Sequence, residues 1–428
     1  KIPYFDENVE ISQYPDIPNN EFTRDEILSM LAKEMLDAAE QLPASQPEVG
    51  RIHKYIALAY AAKIKLYQAY QQDEITHAVT SINKELLREV VSLCDQVTAS
   101  NRYGLLDDFQ GLDLVTNENG KESVFAIQYS MNDGTESAGR INWSNLFNSP
   151  GGGSPYGGDG FFLPSQDLIN AYQTDANGLP DFNYQSKSDY SWAVLNNGVY
   201  TLQNTTPNVD PRLDFVVGRP TITWKTYPDK PCEGWVRDKD TYGYNCAKRF
   251  WVSPESSDMF NGWALGASQL NWQIIRYADI LLWKAEALIE LNEGNGLETA
   301  RDLINQIRNR ARNSAYVKDF NDHSKYAANY LVNPYPADVW NQDYARQALR
   351  WETRLEKALE GERFFDLVRW GIVETTMNKY ITAESDNRIY YANAHFTGGK
   401  DEYYPVPNNQ YGFSGGKYVQ NPGYAPFN

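Results

Sequence analysis

Glu352, Glu356 and Glu360 recur every four residues and therefore share one face of a helix. Carboxylates paired at that spacing could work as a general acid and base. Basic residues alternate with them: Arg350, Arg354, Lys357, Arg363 and Arg369, alongside Glu362 and Asp366. The alternation favours a plainer chemistry, an ion-pair network that ties helices together. Its arginines are expected from the same stretch, with Phe364, Phe365, Leu367 and Val368 as core.

Other chemistries find little support. Gly151-Gly152-Gly153 lacks the Lys-Ser/Thr and the opening helix of a phosphate loop. No nucleophile elbow surrounds any serine. Four His and three Cys show no zinc spacing, so neither a metal nor a cofactor is expected. Cys94 shares an apolar stripe with Leu87, Val91 and Val97 and reads as a buried thiol. Cys232 and Cys246 flank a loop rich in Gly, Tyr and Asp and are expected to bridge in an oxidising compartment. A net charge of −17 argues against a nucleic-acid partner, which needs concentrated Lys and Arg. No apolar run is long enough to predict a membrane-spanning helix. Aromatic residues make up 14% of the chain, with 30 Tyr and 11 Trp. Rings that pair an apolar face with a polar edge suit recognition surfaces.

The elements that must position these residues are mostly helical. Thr23 and Glu26 form a capping-box pattern, and Ile27, Leu31, Met35 and Leu42 keep a helical period up to Pro43. A second helix follows Gly50 and includes Ile52, Tyr55, Ala59, Ala62, Leu66 and Tyr70. A third spans about 81–99, with Leu86, Leu87, Val90, Cys94 and Val97 inward. Small residues opposite large ones suit the stacked pairs of tetratricopeptide repeats. Helical periodicity resumes from Ile274 to Leu291, then through Leu297, Ala300, Leu303, Ile304, Ile307 and Ala311. There Arg308, Arg310 and Arg312 sit where a helix C-terminus favours cations. Two further helices occupy 343–371. Between them, 101–272 is punctuated by Gly, Asn, Ser, Asp and Pro, the pattern of loops that carry function on a rigid scaffold. One short helix is expected from Pro164 to Tyr172, and strands at Val124–Tyr129 and Thr221–Trp224. Residues 1–142 contain no Trp, whereas 143–272 contain seven.

The run Glu352, Arg354, Glu360, Gly361, Arg363, Phe364, Asp366, Leu367, Arg369, Trp370 and Gly371 falls on a pattern of the SusD/RagB family, and the chain resembles that family elsewhere too. Arg276-Tyr277-Ala278-Asp279 with Ala285-Glu286-Ala287 resembles a family helix. Asp210-Pro211-Arg212 and Gln420-Asn421-Pro422-Gly423-Tyr424 resemble two further family segments, in the family's order. The resemblance implies a mainly α fold: one SusD-like domain over 1–428, tetratricopeptide-like helix pairs at about 21–100 and 274–371, and a loop-rich ligand-binding section at about 101–272 packed on one face. An irregular tail follows at 380–428.

The resemblance also implies a function. It points to a cell-surface protein of a Bacteroidetes-type outer membrane that captures an oligosaccharide and passes it to a SusC-like TonB-dependent transporter, with no bond broken. Relatives carry a lipidated cysteine and further helices ahead of the equivalent of Ile2-Pro3, so a longer lipid-anchored precursor is expected. Ligand contact is expected from aromatic rings with polar neighbours in the loop section. The candidates are Trp143 (beside Arg140 and Asn145), Trp192, Trp224, Trp235 (beside Arg237), Tyr156 and Asp159; Trp251, Trp272 and Trp283 are assigned to core. Two alternatives remain open at this point. An all-α glycoside hydrolase would need two carboxylates facing each other across a cleft. A tetratricopeptide scaffold for protein partners would not need the aromatic loops.

Overall fold

A computed structural model describes residues 1–135, 139–143, 148–149, 151, 153–225, 227–262 and 265–427. The first three helices are α1 (Arg24–Gln41), α2 (Lys54–Ala69) and α3 (Lys84–Ala99). Short helices follow in the loop section: α4 (Gln166–Ala171), α5 (Arg212–Val216) and α6 (Lys239–Tyr242). The second helical block comprises α7 (Tyr277–Leu291), α8 (Gly296–Asn313), α9 (Gln342–Glu356), α10 (Arg363–Arg369) and α11 (Val373–Glu384), and α12 (Asn408–Phe413) lies in the tail.

Local chemistry explains the long helices. At α1 the Thr23 N–H donates to Glu26 Oε2 at 2.8 Å, and Thr23 Oγ1 accepts from the Glu26 N–H at 3.2 Å. This reciprocal cap satisfies two N-terminal donors. α2 buries Ala57, Ala59, Ala61 and Ala62, which lets its neighbours approach closely. Packing runs as a chain of neighbours: α1 on α2, α2 on α3, α3 on α7, and α7 on both α8 and α9. The two helical blocks are therefore one stack, joined where α3 meets α7.

α7 is the middle layer. Ile280, Trp283, Ala287 and Leu291 face the core shared with α2 and α3. Ala278, Leu281, Leu282, Ala285 and Ile289 face the core shared with α8 and α9. A helix apolar on both sides belongs inside a bundle rather than on its surface.

Strand structure among the described residues consists of two-stranded antiparallel pairs. In chain order the strands are β1 (Tyr70–Gln72), β2 (Val79–Ile82), β3 (Ser123–Ile127), β4 (Gln173–Thr174), β5 (Trp192–Asn196), β6 (Val199–Gln203), β7 (Asn208–Val209), β8 (Val217–Gly218), β9 (Thr223–Trp224), β10 (Tyr227–Pro231), β11 (Cys246–Ala247) and β12 (Trp272–Arg276). The expected strands appear as the shorter β3 and β9. The start of α7 differs from its sequence expectation: Ile274 to Arg276 are strand, because β12 pairs with β3 in the register Trp272↔Ile127. The helix begins only where the Asp279 carboxylate accepts from the Arg276 N–H at 2.7 Å.

Candidate functional site

The Glu352 stripe is the first candidate. Glu352 and Glu356 are sealed from solvent. Arg212 and Arg308 donate to Glu352 at 2.6 and 3.0 Å. Arg276 and Arg310 both bond Glu356, and Arg276 also reaches Glu360 at 2.7 Å. Arg212 is clamped by Asp210, and Arg276 and Arg310 meet Glu122. The stripe is thus an ion-pair core that locks α9 to β12, α8 and the Asp210-Pro211-Arg212 turn.

Two expectations need correction here. The arginines do not come from the same stretch: Arg354 lies two residues off the Glu face and pairs with Asp167 at 2.6 Å. Arg308, Arg310 and Arg312 lie near the C-terminal end of α8 as expected, and the first two are also buried partners of carboxylates. Phe365 is 58% exposed rather than core.

The aromatic candidates separate by burial. Tyr156, Trp224 and Trp235 form a closed cluster with Trp251. Trp224 Nε1 donates to the Tyr156 hydroxyl at 2.9 Å, which donates to the Val252 carbonyl at 2.7 Å. Trp224 and Tyr156 have spent their polar edges and all three rings are buried, so they present no open face to a ligand, contrary to expectation. Arg237 and Asp159 are exposed and lie 3.8 Å apart, with Arg237 also donating to the Gly158 carbonyl. Trp143 is 36% exposed, edge-on to Phe260 at 6.2 Å. Its neighbour Arg140 pairs loosely with Asp133 at 3.5 Å. Asn145 and Gly152 lie outside the described residues. Cys232 and Cys246 are buried free thiols that neighbour each other, and Cys94 is a third buried thiol.

Trp192 is different. It is 41% exposed and opens β5, which returns through Asn197-Gly198 into β6 with Trp192 opposite Gln203. Both turn residues have positive φ, 50° and 81°, the geometry an Asn-Gly pair supplies at little cost in a tight hairpin. Buried groups hold the hairpin's root. The Ser191 hydroxyl bonds Arg219, which grips Asp214 with two 2.8 Å bonds. Gln166 on α4 donates to the Tyr190 carbonyl at 2.7 Å, and Asn170 donates to Asp189 at 2.7 Å.

Around Trp192 lies a cavity of about 480 Å³ lined by Asp189, Lys239, Tyr242, Tyr244, Asn245, Glu384, Asp386, Asn387 and Arg388. Tyr242 is exposed and sits 6.0 Å from the exposed Tyr390. Tyr244 packs edge-on against Tyr200, whose hydroxyl accepts from Lys239 at 3.2 Å. Arg388 donates to the Pro164 carbonyl at 2.7 Å and to the Tyr390 hydroxyl at 3.2 Å. Glu384 accepts from the Asp167 N–H, and its other oxygen, with no hydrogen bond among the described residues, lies 3.4 Å from Arg388. Burial pushes its carboxyl above the usual range, against the pull of the Asp167 N–H and Arg388. The arrangement combines exposed ring faces with converging donors and acceptors on an open basin, which suits a polyhydroxylated ligand.

Of the expected contact residues that the structure describes, only Trp192 lines this basin. The others in the basin escaped sequence reasoning because it ranked Trp above Tyr. The signals were present: Tyr242-Gly243-Tyr244-Asn245, Asp386-Asn387-Arg388, and the hairpin turn at Asn197-Gly198. Among the described residues no cluster of His, Cys, Asp and Glu could hold a metal ion, and no helix is long and apolar enough to cross a membrane.

A family model described as the SusD family matches residues 121–424. Several solved structures share the fold. A SusD superfamily protein from Bacteroides vulgatus is 20% identical with a TM-score of 0.65, covering 99% of this chain and 73% of its own. Surface glycan-binding protein A from Bacteroides fluxus is 20% identical with a TM-score of 0.61, covering 99% and 73%. A laminarin-binding SusD-like protein is 19% identical with a TM-score of 0.55, covering 99% and 74%. No curated protein matches the chain.

Proposed function

The chain belongs to the SusD family, and from that premise we propose that it binds a neutral oligosaccharide in the Trp192 basin. The observation that carries the reading is the exposed Trp192 indole beside Tyr242 and Tyr244, at the mouth of a cavity with carboxylate, amide and cationic groups. A sugar's C–H face would stack on the rings while Asp189, Asn245, Asp386 and Asn387 accept or donate to hydroxyls. Three carboxylates against two cations on the wall favour a ligand without negative charge. Each stacked ring contributes about 1 kcal/mol, by analogy with aromatic pairs. Affinity is therefore modest, about micromolar to millimolar, which suits a protein that releases its cargo. On the family resemblance, the captured glycan passes to a SusC-like TonB-dependent transporter at the outer membrane, where a lipid on the precursor holds the protein at the cell surface. The names of two relatives, laminarin-binding and surface glycan-binding, support the ligand class.

Calorimetric titration against a panel of neutral oligosaccharides tests the reading. Trp192→Ala should abolish measurable binding with an unchanged circular dichroism spectrum, because an exposed ring supports little core. Wild-type-like binding by this variant places the site elsewhere. Cleavage of the bound glycan by the wild-type protein would favour the hydrolase reading instead.

A further inference from the structure

Among the described residues of the helical block, Arg363 and its neighbour Arg350 lack a carboxylate partner within ion-pair distance. Arg212, Arg276, Arg308, Arg310, Arg354 and Arg369 each meet a carboxylate. Arg363 does not: among the described residues its guanidinium makes a 3.4 Å hydrogen bond to the Arg350 carbonyl and lies 5.9 Å from the centre of the Trp370 ring. Arg350, over the same ring at 5.3 Å, adds a second positive charge rather than a counter-ion. Arg363 is only partly exposed, and a cation shielded from water is normally paired with a carboxylate.

Arg363 lines a cavity of about 460 Å³ between α4, α9, α10 and α11. The acids in its wall are already engaged. Asp167 accepts from Arg354, the Tyr184 hydroxyl and Gln185, and Asp366 pairs with Arg369. Burial, with Arg354 adding to it and Asp366 opposing, pulls the Arg363 guanidinium down to about 9. The rest of the wall includes Tyr184, Phe364, Met377 and Tyr380. The space far exceeds what a bare inorganic anion fills, since a water takes about 30 Å³, and it falls in the range of small-molecule sites.

We infer that this cavity is a second, anion-selective site that takes a carboxylate-bearing sugar, its carboxylate on the Arg363 fork and its ring against Tyr184, Phe364 and Tyr380. A guanidinium matches a carboxylate with two parallel donors, and the flanking rings supply apolar faces for the pyranose. The site stands on Arg363 and its cavity, independently of the neutral-glycan reading. α4 and α11 form the wall between the two: Gln166 and Glu384 face the Trp192 basin, whereas Asp167 and Tyr380 face this cavity.

The test is calorimetric titration of the whole chain with sodium glucuronate, glucose and sodium sulfate at matched ionic strength, with Tm followed in parallel. Glucuronate should bind and raise Tm, and glucose should do neither. Arg363→Met should weaken glucuronate binding at least tenfold while leaving Tm without ligand equal or higher, since it removes an uncompensated charge. Trp192→Ala should bind glucuronate as the wild type does. Sulfate binding as tight as glucuronate overturns the sugar assignment, and equal loss in Trp192→Ala assigns the ligand to the other basin. Should Arg363→Met fail to fold, a crystal structure of the wild type with glucuronate decides. A carboxylate within hydrogen-bond distance of Arg363 supports the site, and an empty cavity overturns it.

Discussion

Trp224 and Trp192 carry the same indole, and their surroundings assign them opposite work. Trp224 has its N–H satisfied by Tyr156 and its face covered by Trp235, 4.9 Å away between ring centres. Trp192 opens a hairpin and stays 41% exposed. The cysteines follow the same logic of placement. Cys232 and Cys246 meet as buried thiols, Cys246 on β11 and Cys232 beside Gly218 of β8, and burial together with the neighbouring Cys232 pushes the Cys246 thiol well up. A bridge here would close a loop of about 15 residues, worth about 3 kcal/mol in the chain-entropy picture. Protein recovered from an oxidising compartment and unfolded without reductant should therefore show one titratable thiol, Cys94, and reductant should lower its Tm. Three titratable thiols in the unreduced sample would exclude the bridge.

At the scale of elements, α9 does the most to hold the fold together. Its inward carboxylates meet Arg276 at the end of β12, Arg308 and Arg310 of α8, and Arg212 of the Asp210-Pro211-Arg212 turn, so one helix face joins the stack to the loop section. Burial alone would raise the Glu356 carboxyl, but Arg310, Arg276 and Arg212 outweigh it and hold the group at about 2. The sign follows: its stabilisation is complete above the ordinary carboxylate value and is lost as pH falls through about 2. Glu356→Gln should cost about 3–5 kcal/mol at neutral pH, because it strands buried guanidiniums. Its stability should also fall less steeply than the wild type's between about pH 4.5 and 2. Denaturant melts across that range measure both effects, and a variant as stable as wild type at pH 7 would refute the network's role. Gly371, just beyond α10, shows why the Trp370-Gly371 pair recurs in the pattern: its φ is +67°, and a Cβ there would come within 2.8 Å of Val79.

For the whole molecule, the contact of α3 with α7 makes one stack from two stretches of sequence separated by the loop section. The tail adds a latch. Gln420 bonds the Val406 N–H and carbonyl at 2.6 and 3.0 Å, and the Asn19 side chain bonds both the N–H and the carbonyl of Val419 at 2.9 Å. The helical blocks should therefore melt together. Calorimetry should give a single transition, and Ala287→Phe at the face of α7 toward α2 and α3 should lower its Tm, costing about 1–3 kcal/mol by overpacking. Two separate transitions, one unaffected by the substitution, would show that the blocks fold independently.

The sequence by itself determined the elements whose cause is local. The Thr23–Glu26 cap, the period of α3 and the apolar run of α7 are written in consecutive residues, and so was the ion-pair character of the Glu352 stripe. The family pattern was legible because Gly371 serves backbone geometry, and Glu352, Arg354, Asp366 and Arg369 serve buried pairing, at set positions. What sequence could not decide was which partner each charge would take and which ring would face water. Glu352 draws its arginines from Arg212 and Arg308, far away in the chain, and the Trp192 basin gathers α6 and the end of α11 around one hairpin. Burial and pairing are properties of the packed chain. An indole among glycines and asparagines reads the same whether its neighbours close over it or leave it open, and only the tertiary structure makes that choice.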